Sequence, residues 1–332
     1  MKALLLHLDG TAQTARTALG AVAGRDLRSL DGKRLLRKGQ TVAENHLPVL
    51  AELHDLDLSL LIPEPGDVHE DEAAMRLGRA AAGPGVRVEG PKEAKARLVA
   101  EHRGLLCVDT AALERMNSVP TVSVYTLFDG RPVEAGELVG EAKVTPLIVA
   151  AAGLETAEAA AVPPPVAVWP FVPTQAAALV RERVSPAQAR RVAEGLSKKL
   201  SEFGSTLAGV HYASPSASPE DLAEAMRGLL ADGAGILFVS GGSASDPADP
   251  LLNALHHVPA RLERVGIPAH PGSMLWLAYA VSAPTPILGV PSCGIFSQST
   301  SLDLVLPPLL AGQPVTTQTF ASLGHGGLKS KT

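Results

Sequence analysis

The sequence predicts an α/β protein in which a domain with a parallel sheet between two helical layers follows a mixed α+β region. The chain has 332 residues, which is more than one small domain usually requires. After about residue 165, apolar strand-like runs alternate with helical patterns. An Ala-rich stretch that ends in three prolines, residues 151–166, has the composition of a linker. The predicted boundary therefore lies near residue 163, between regions 1–163 and 164–332.

The first region mixes helical and strand patterns. Residues 30–53 predict a short strand and then a helix. Residues 69–83 predict a helix with acidic side chains in its first turn, and residues 91–104 predict another that begins with a proline. Residues 121–140 alternate like a strand around Asp129-Gly130, which is a strong hairpin-turn pair.

The second region is more regular. Strand-like runs lie at residues 167–184, 205–213, 235–240 and 275–292. Helical patterns lie between them and after them, at residues 185–204, 218–233 and 297–312, the last broken or bent at Pro307-Pro308. Ligands of parallel sheets bind beyond the carboxyl ends of the strands, so the loops that follow these strands are the candidate sites.

Composition argues against several function classes. The net charge is −5, from 29 basic and 34 acidic residues, and aromatic residues make up 3%, which does not suit a nucleic-acid-binding face. No apolar run reaches membrane-spanning length, and the first ten residues are too short for a signal peptide. Cys107 and Cys293 lie far apart and outside any zinc spacing. We therefore expect a cytoplasmic protein with reduced thiols and no membrane or nucleic-acid partner.

The stretch VSGGSASDPADP, residues 239–250, directly follows a strand-like run. Two glycines let the backbone approach a ligand, and successive amides with serine hydroxyls form anion-binding nests. The residues concerned are Gly241, Gly242, Ser240, Ser243 and Ser245. Asp246 and Asp249 offer carboxylates for Mg²⁺ or for orienting a phosphate-bearing substrate. The alternative is an Asx-type turn in which Asp246 caps the next helix.

Two further loops carry similar features. HPGS contains Pro271, Gly272 and Ser273, and its alternative interpretation is a plain turn. GVPSCG, residues 289–294, follows another strand-like run and precedes a hydroxyl-rich helix start. Cys293 fits a buried small residue better than a nucleophile, because no basic neighbour lowers its pKa.

The histidines and the common nucleotide and hydrolase motifs add little. His256 and His257 are adjacent on a helix and diverge, and His325 fits a surface loop. The sequence contains neither a G-x-G-x-x-G nor a G-x-S-x-G motif.

Taken in order, the three loops resemble the molybdopterin-binding domain of molybdenum cofactor biosynthesis, over roughly residues 165–315. The first region, with LLRKGQTV at residues 35–42, looks loosely like the accessory modules of molybdopterin molybdotransferases. This resemblance implies a three-layer α/β/α domain that holds the pterin phosphate at Gly241, Gly242 and Ser243. It also implies a homo-oligomer, with molybdopterin and molybdate as small-molecule partners and a molybdoenzyme as recipient.

The resemblance assigns roles to the other candidate residues. Asp246 and Asp249 would be the acidic groups for Mg²⁺ or for hydrolysis of adenylated molybdopterin. Pro271, Gly272 and Ser273 would stand in the Pro-Gly-Lys loop of the transferase. Pro291 and Ser292 would stand in its Pro-Gly-Asn-Pro loop.

The chain departs from the family pattern at three places. Ser273 replaces a lysine, Ser292-Cys293 replaces Gly-Asn, and LVRERVSP, residues 179–186, stands where the family has Thr-Gly-Asp-Glu, so that only Glu182 is acidic there. Loss of a cation weakens the recognition of a multiply charged anion. Three functions stay open: a molybdopterin-binding protein that inserts molybdate, a non-catalytic carrier or sensor of the cofactor, and a nucleotide-processing hydrolase on the same fold.

Overall fold

The structure, a computed structural model, describes residues 1–29, 31–281, 283–291 and 300–328. The chain divides into two compact units, Met1–Trp169 and Pro170–Thr332. In the described ranges, no helix combines the length and the apolar character that crossing a bilayer requires. The general α/β class predicted from the sequence is confirmed.

The first unit is rich in short strands. Its described strands are β1 Lys2–Asp9, β2 Val22–Ala23, β3 Leu27–Arg28, β4 Arg34–Leu36, β5 His54–Ile62, β6 Asp67–His69, β7 Val86–Lys92, β8 Lys95–Ala100, β9 Gly104–Val108, β10 Val122–Thr126, β11 Pro132–Val133, β12 Leu138–Val144, β13 Ile148–Ala150 and β14 Val166–Pro170. Its described helices are α1 Ala12–Arg16, a 3-10 turn Glu44–His46, α2 Leu47–Leu50, α3 Glu70–Ala81, α4 Thr110–Asn117 and α5 Ala151–Ala160.

The strands of the first unit form several small sheets. The largest has the order β10-β12-β8-β7, and all of its neighbours are antiparallel. Another has the order β1-β5-β2, also antiparallel. One core packs α3, α4 and α5 together through Leu77, Met116 and Leu154. The helix predicted at residues 69–83 is therefore α3, and its N-terminal turn carries three acidic residues.

The helix predicted at residues 91–104 is wrong. The structure has a β-hairpin there, with β7 and β8 joined through Glu93 and Ala94. Ala96, Leu98 and Ala100 alternate along β8 and are fully buried, so this segment has the two-residue period of a strand. Pairing with β12 on one side and β7 on the other outweighs the helical pattern of its charged residues.

The linker predicted at residues 151–166 is also wrong. Residues 151–160 form α5, and Leu154 and Ala157 on one face of it are buried in the core of the first unit. Alanine is the best helix former, so an Ala-rich segment with an apolar face makes a packed helix. The prolines follow this helix and lead into β14, which places the boundary after Trp169 instead of near residue 163.

The turn at Asp129-Gly130 forms, but the strands on either side of it do not make a hairpin. β10 pairs with β12, whereas β11 pairs with β9 in a different sheet. The Asp129 carboxylate accepts the amide of Val108 at 2.8 Å, and Gly130 has φ of +75°. The turn therefore redirects the chain from one sheet to another.

The second unit is built on one six-stranded sheet. Its described elements are β15 Gln175–Val180, α6 Pro186–Ser201, β16 Thr206–Tyr212, α7 Pro219–Ala231, β17 Ile236–Ser240, α8 Pro250–Ala254, β18 Ala260–Val265, β19 Trp276–Ala280, β20 Pro286–Gly289, α9 Leu302–Leu310 and α10 Thr317–Ser322. Capping boxes begin two of these helices, Ser185 with Gln188 on α6 and Ser218 with Asp221 on α7. Pro307 and Pro308 both lie inside α9, and the predicted start of this helix at residues 297–299 lies outside the described residues.

The sheet has the order β16-β15-β17-β20-β19-β18 and is mixed. β16, β15, β17 and β20 are mutually parallel, as predicted. β19 runs antiparallel to both β20 and β18, so the prediction of a purely parallel sheet is wrong. Only a short connection, residues 281–285, joins β19 to β20, and a short link favours antiparallel neighbours over a crossover.

Helices cover both faces of this sheet. Along β15, Ala176, Ala178 and Val180 pack with α6, α9 and α10, whereas Ala177 and Leu179 pack with α7 and α8. Because neighbouring residues of a strand point to opposite faces, a run that is apolar throughout must be covered on both sides. This explains why the central strands β15 and β17 read as continuous apolar segments.

A matched pair of glycines tests this packing. At Gly289 an added Cβ would lie 1.9 Å from the Trp276 ring, whereas at Gly228 in α7 nothing lies within 4 Å. We expect Gly289→Ala to lower the free energy of unfolding by about 1–3 kcal/mol through overpacking. We expect Gly228→Ala to raise it by about 0.5–1 kcal/mol, because alanine is the better helix former. Urea unfolding measures both, and equal effects of the two substitutions would contradict this packing.

Candidate functional site

Three loops of the second unit meet at one edge of its sheet. They are the Gly-Gly loop (residues 240–249), the Pro-Gly loop (270–274) and the Gly-Val-Pro segment (289–291). Residues of all three line a common cavity of about 10 Å³, among them Gly242, Met274 and Pro291. Such a volume holds no more than one water molecule. A larger ligand would therefore lie across the outer surface of these loops.

The sheet topology explains this convergence. The Gly-Gly loop and the Gly-Val-Pro segment follow the neighbouring parallel strands β17 and β20, where Val239 pairs with Gly289. The Pro-Gly loop instead precedes its strand, β19. Because β19 is antiparallel, its first residue, Trp276, also pairs with Gly289, and the loop before it reaches the same edge. The sequence-predicted loops are therefore brought together by the strand whose direction was predicted wrongly.

The two glycines of the Gly-Gly loop are required by close contacts. Gly241 has φ of +95°, and a Cβ there would lie 2.5 Å from the Arg181 carbonyl oxygen and 2.9 Å from the side chain of Glu182. At Gly242 a Cβ would lie 2.6 Å from both carboxylate oxygens of Asp249. Backbone and carboxylate thus occupy the space that any larger residue would need.

Asp249 is the structural centre of the Gly-Gly loop. It is only 5% exposed. Its Oδ2 accepts the amide of Ser243 at 2.6 Å, and its Oδ1 accepts the amides of Leu251 at 2.9 Å and Leu252 at 3.3 Å. This carboxylate therefore caps α8 and closes the loop. The residue that caps this helix is therefore Asp249, and not Asp246 as in the alternative given above.

Asp246, Ser243 and Ser245 lie on the exposed side of the loop. The Asp246 carboxylate accepts the amide of Ala248 at 2.9 Å in an Asx-type turn. The hydroxyls of Ser243 and Ser245 are 2.7 Å apart. Ser240 is buried at the end of β17. In the described part of the chain, no group of three or more His, Cys, Asp or Glu side chains is placed to hold a metal ion.

The Pro-Gly loop is fixed to the start of α9. Ser301 donates its hydroxyl to the Gly272 carbonyl oxygen at 2.8 Å and its amide to the Pro271 carbonyl oxygen at 2.9 Å. Gly272 has φ of +106°, and a Cβ there would lie 2.2 Å from the Ser301 hydroxyl. Ser273 is exposed. Its side chain therefore stands at the surface of this loop.

The remaining candidates divide between described and undescribed parts of the chain. Pro291 lines the cavity. Ser292 and Cys293 lie outside the described residues. His325 is exposed, as predicted for a surface loop. His256 and His257 are also exposed, but they lie in the turn after α8, which ends at Ala254, so their predicted place on a helix is wrong.

One residue of this edge, Arg181, was missed by the sequence analysis. It follows β15 directly, and its amide donates to the Ser240 carbonyl oxygen at 2.8 Å. Its Nε is buried and has no hydrogen-bond partner among the described residues. A charged residue immediately after a buried strand was the available signal, since strand ends form the site in such sheets.

The first unit has a larger cavity of about 790 Å³, which contains none of the predicted residues. Its lining is of mixed charge, with three basic side chains (Arg37, Lys38 and Lys143) and three acidic ones (Glu70, Asp71 and Glu93). Burial raises the pKa of the Glu70 carboxyl above its ordinary value. The positive and negative side chains balance, so the cavity selects neither anions nor cations by charge alone.

Comparison with known proteins identifies no family. No family model matches the chain, and no curated protein matches it. Among solved structures, a NadC deletion mutant crystallised in a cubic space group is 14% identical over 46% of this chain, with a TM-score of 0.17. The matched part spans 58% of the length of that chain. A TM-score this low carries no argument about the fold or the site.

The role of Asp249 can be separated from that of Asp246 by stability. We expect Asp249→Ala to lower the free energy of unfolding by about 2 kcal/mol, because a helix cap is lost and the amide of Ser243 loses its acceptor. Asp246→Ala, at an exposed turn, should cost less than about 1 kcal/mol. Urea unfolding of the two variants measures the difference. Equal losses would contradict the structural role assigned to Asp249.

The thiol of Cys107 should be unreactive at neutral pH. Burial and, to a lesser degree, the nearby Asp129 carboxylate raise the pKa of this thiol to about 11. In a Cys293→Ser variant, alkylation of Cys107 by iodoacetamide should be slow at pH 7 and accelerate until the pH approaches 11, because the thiolate is the nucleophile. A rate that reaches its plateau below pH 9 would contradict this environment.

Proposed function

We propose that the second unit binds molybdopterin in the molybdenum cofactor pathway. The observation that supports this best is the convergence of three loops, distant in sequence, at one edge of the sheet. The same three loops carry the resemblance to the molybdopterin-binding domain. The three-layer arrangement of that domain belongs to the proposal, and the helices on both faces of the sheet are compatible with it.

The exposed groups of these loops suit a polar ligand that lies across them. Ser243 and Ser245 offer hydroxyls, and the backbone at Gly242 is open to solvent. On the facing loop Ser273 offers another hydroxyl, and Met274 beside it is 46% exposed. Hydroxyls and amides recognise pterin and phosphate groups, and an exposed thioether packs against a flat ring.

The contacts of Asp246 and Asp249 favour ligand binding without catalysis. Both oxygens of Asp249 already accept amide hydrogen bonds, and one oxygen of Asp246 does so. The two carboxylates give no support to the Mg²⁺ site expected from the sequence, and the proposed binding of molybdopterin does not use a metal ion. We therefore favour a carrier or sensor of the cofactor, which would deliver it to a recipient molybdoenzyme, over an enzyme that inserts molybdate.

A steric block tests the binding site. We expect Ser245→Trp to weaken molybdopterin binding at least about tenfold, because the indole covers the surface of the Gly-Gly loop. Ser201→Trp is the matched control: Ser201 is an exposed serine at the end of α6, before β16 and hence at the opposite edge of the sheet. Anaerobic titration calorimetry with molybdopterin measures both variants. Equal affinities for the two variants would remove this site from the proposal.

A separate assay tests whether the protein catalyses the insertion of molybdate. Wild-type protein incubated with adenylated molybdopterin and molybdate should release no AMP above the uncatalysed rate. If the wild type releases AMP and Asp246→Asn does not, the hypothesis of a non-catalytic carrier is overturned and insertion of molybdate is supported. Turnover of a dinucleotide without pterin binding would instead support the nucleotide-processing hydrolase.

A further inference from the structure

Arg181 holds a buried donor without an acceptor. Among the side-chain nitrogen and oxygen atoms that are buried in the described part of the chain, its Nε is the one without a hydrogen-bond partner. None of the ion pairs between described residues involves its guanidinium. Buried donors in folded proteins almost always have a partner, and an arginine stays charged at every physiological pH. A donor of this kind is available to an acceptor from outside the chain.

The backbone of Arg181 lies at the edge where the three loops meet. Arg181 extends the pairing of β15 with β17 by one residue, through its amide and the Ser240 carbonyl oxygen. Its own carbonyl oxygen fills the space beside Gly241. By the alternation of β15, Arg181 lies on the same face as Ala177 and Leu179, which is the face that α7 and α8 cover. The Gly-Gly loop leads from β17 to α8 on this face.

Few other groups at this edge of the sheet can bind an anion. The amides of Ser243, Leu251 and Leu252 already bind the Asp249 carboxylate. The sequences of the three loops, residues 240–249, 270–274 and 289–291, contain no lysine or arginine. An anion at these loops would therefore depend on a cation from a neighbouring strand end, which is where Arg181 lies.

We propose that Arg181 binds the phosphate group of the ligand, and that it determines the specificity of this edge for phosphate monoesters. Guanidinium groups bind phosphate through two parallel N–H donors, and Nε is one of the donors in that geometry. The inference rests on the proposed function for the identity of the whole ligand. Phosphate recognition by Arg181 can be tested without the pterin.

The first measurement follows the Nε–H resonance of Arg181 in ¹H–¹⁵N spectra of the full chain, with inorganic phosphate as the probe. The resonance is assigned by its absence in Arg181→Lys. We expect a saturable shift in the wild type. Arg183→Met is the matched control, since Arg183 is two residues away and exposed, and the shift should persist in it. A resonance of Arg181 that does not move with phosphate overturns the proposal.

The second measurement compares affinity with stability in Arg181→Met. Phosphate affinity, followed by the shifts of loop amides, should fall about 10- to 100-fold, which corresponds to a lost charge-assisted hydrogen bond. The ligand-free variant should unfold at an equal or higher urea concentration than the wild type, because an unsatisfied buried donor has been replaced by an apolar chain. Unchanged phosphate affinity overturns the proposal. If Arg181→Met does not fold, Arg181→Lys, which lacks Nε, must show the loss of affinity for the proposal to stand.

The two proposals of this site can fail independently. If phosphate shifts the Arg181 resonance but molybdopterin does not bind, the proposed function is wrong and the role of Arg181 stands. If molybdopterin binds equally well to the wild type and to Arg181→Met, the proposed function stands and the role of Arg181 is wrong.

Discussion

The direction of one strand determines how the second unit assembles its candidate site. β19 runs antiparallel between β20 and β18, and it therefore begins at the edge where those two strands end. A loop before an antiparallel strand and a loop after a parallel strand meet at the same edge of a sheet. With β19 parallel, the Pro-Gly loop would lie at the opposite edge, a full strand length from the Gly-Gly loop. In this register Trp276 pairs with Gly289, and its ring fills the space where a side chain at Gly289 would stand.

The sequence predicted the elements of the second unit better than those of the first, for a physical reason. Ser185 and Ser218 begin helices through caps that use only neighbouring residues, so local sequence is sufficient to predict them. The hairpin at residues 86–100 depends on pairing with β12, some forty residues later, and α5 is stabilised by a distant core. Such contacts are invisible in a local pattern. The direction of β19 is a property of the same kind, because it is defined only by partner strands.

The contacts of single side chains at the site were also not predictable from local sequence. Residue types and order were sufficient to identify the three candidate loops, but not which group each carboxylate contacts. Asp246 and Asp249 look equivalent in the sequence, yet one is exposed in a turn and the other is buried against three amides. Arg181 reads as one charge among several in LVRERV, and only the burial of its Nε distinguishes it from Arg183. Burial and partners, which depend on the whole fold, separate structural from ligand-binding roles.

The contact between Gly242 and Asp249 makes these two positions a single mutational unit. The missing Cβ at 242 and the carboxylate at 249 fill one shared volume, with 2.6 Å between the oxygens and the place where a Cβ would stand. A side chain gained at 242 is therefore compatible with the fold only if the one at 249 shortens, and that change removes the cap of α8. The two substitutions are epistatic, because each alone damages the loop and the pair restores its volume but not its hydrogen bonds. Substitutions at the exposed positions around the loop, such as Ser273, avoid this constraint, because they leave the shared volume of residues 242 and 249 unchanged.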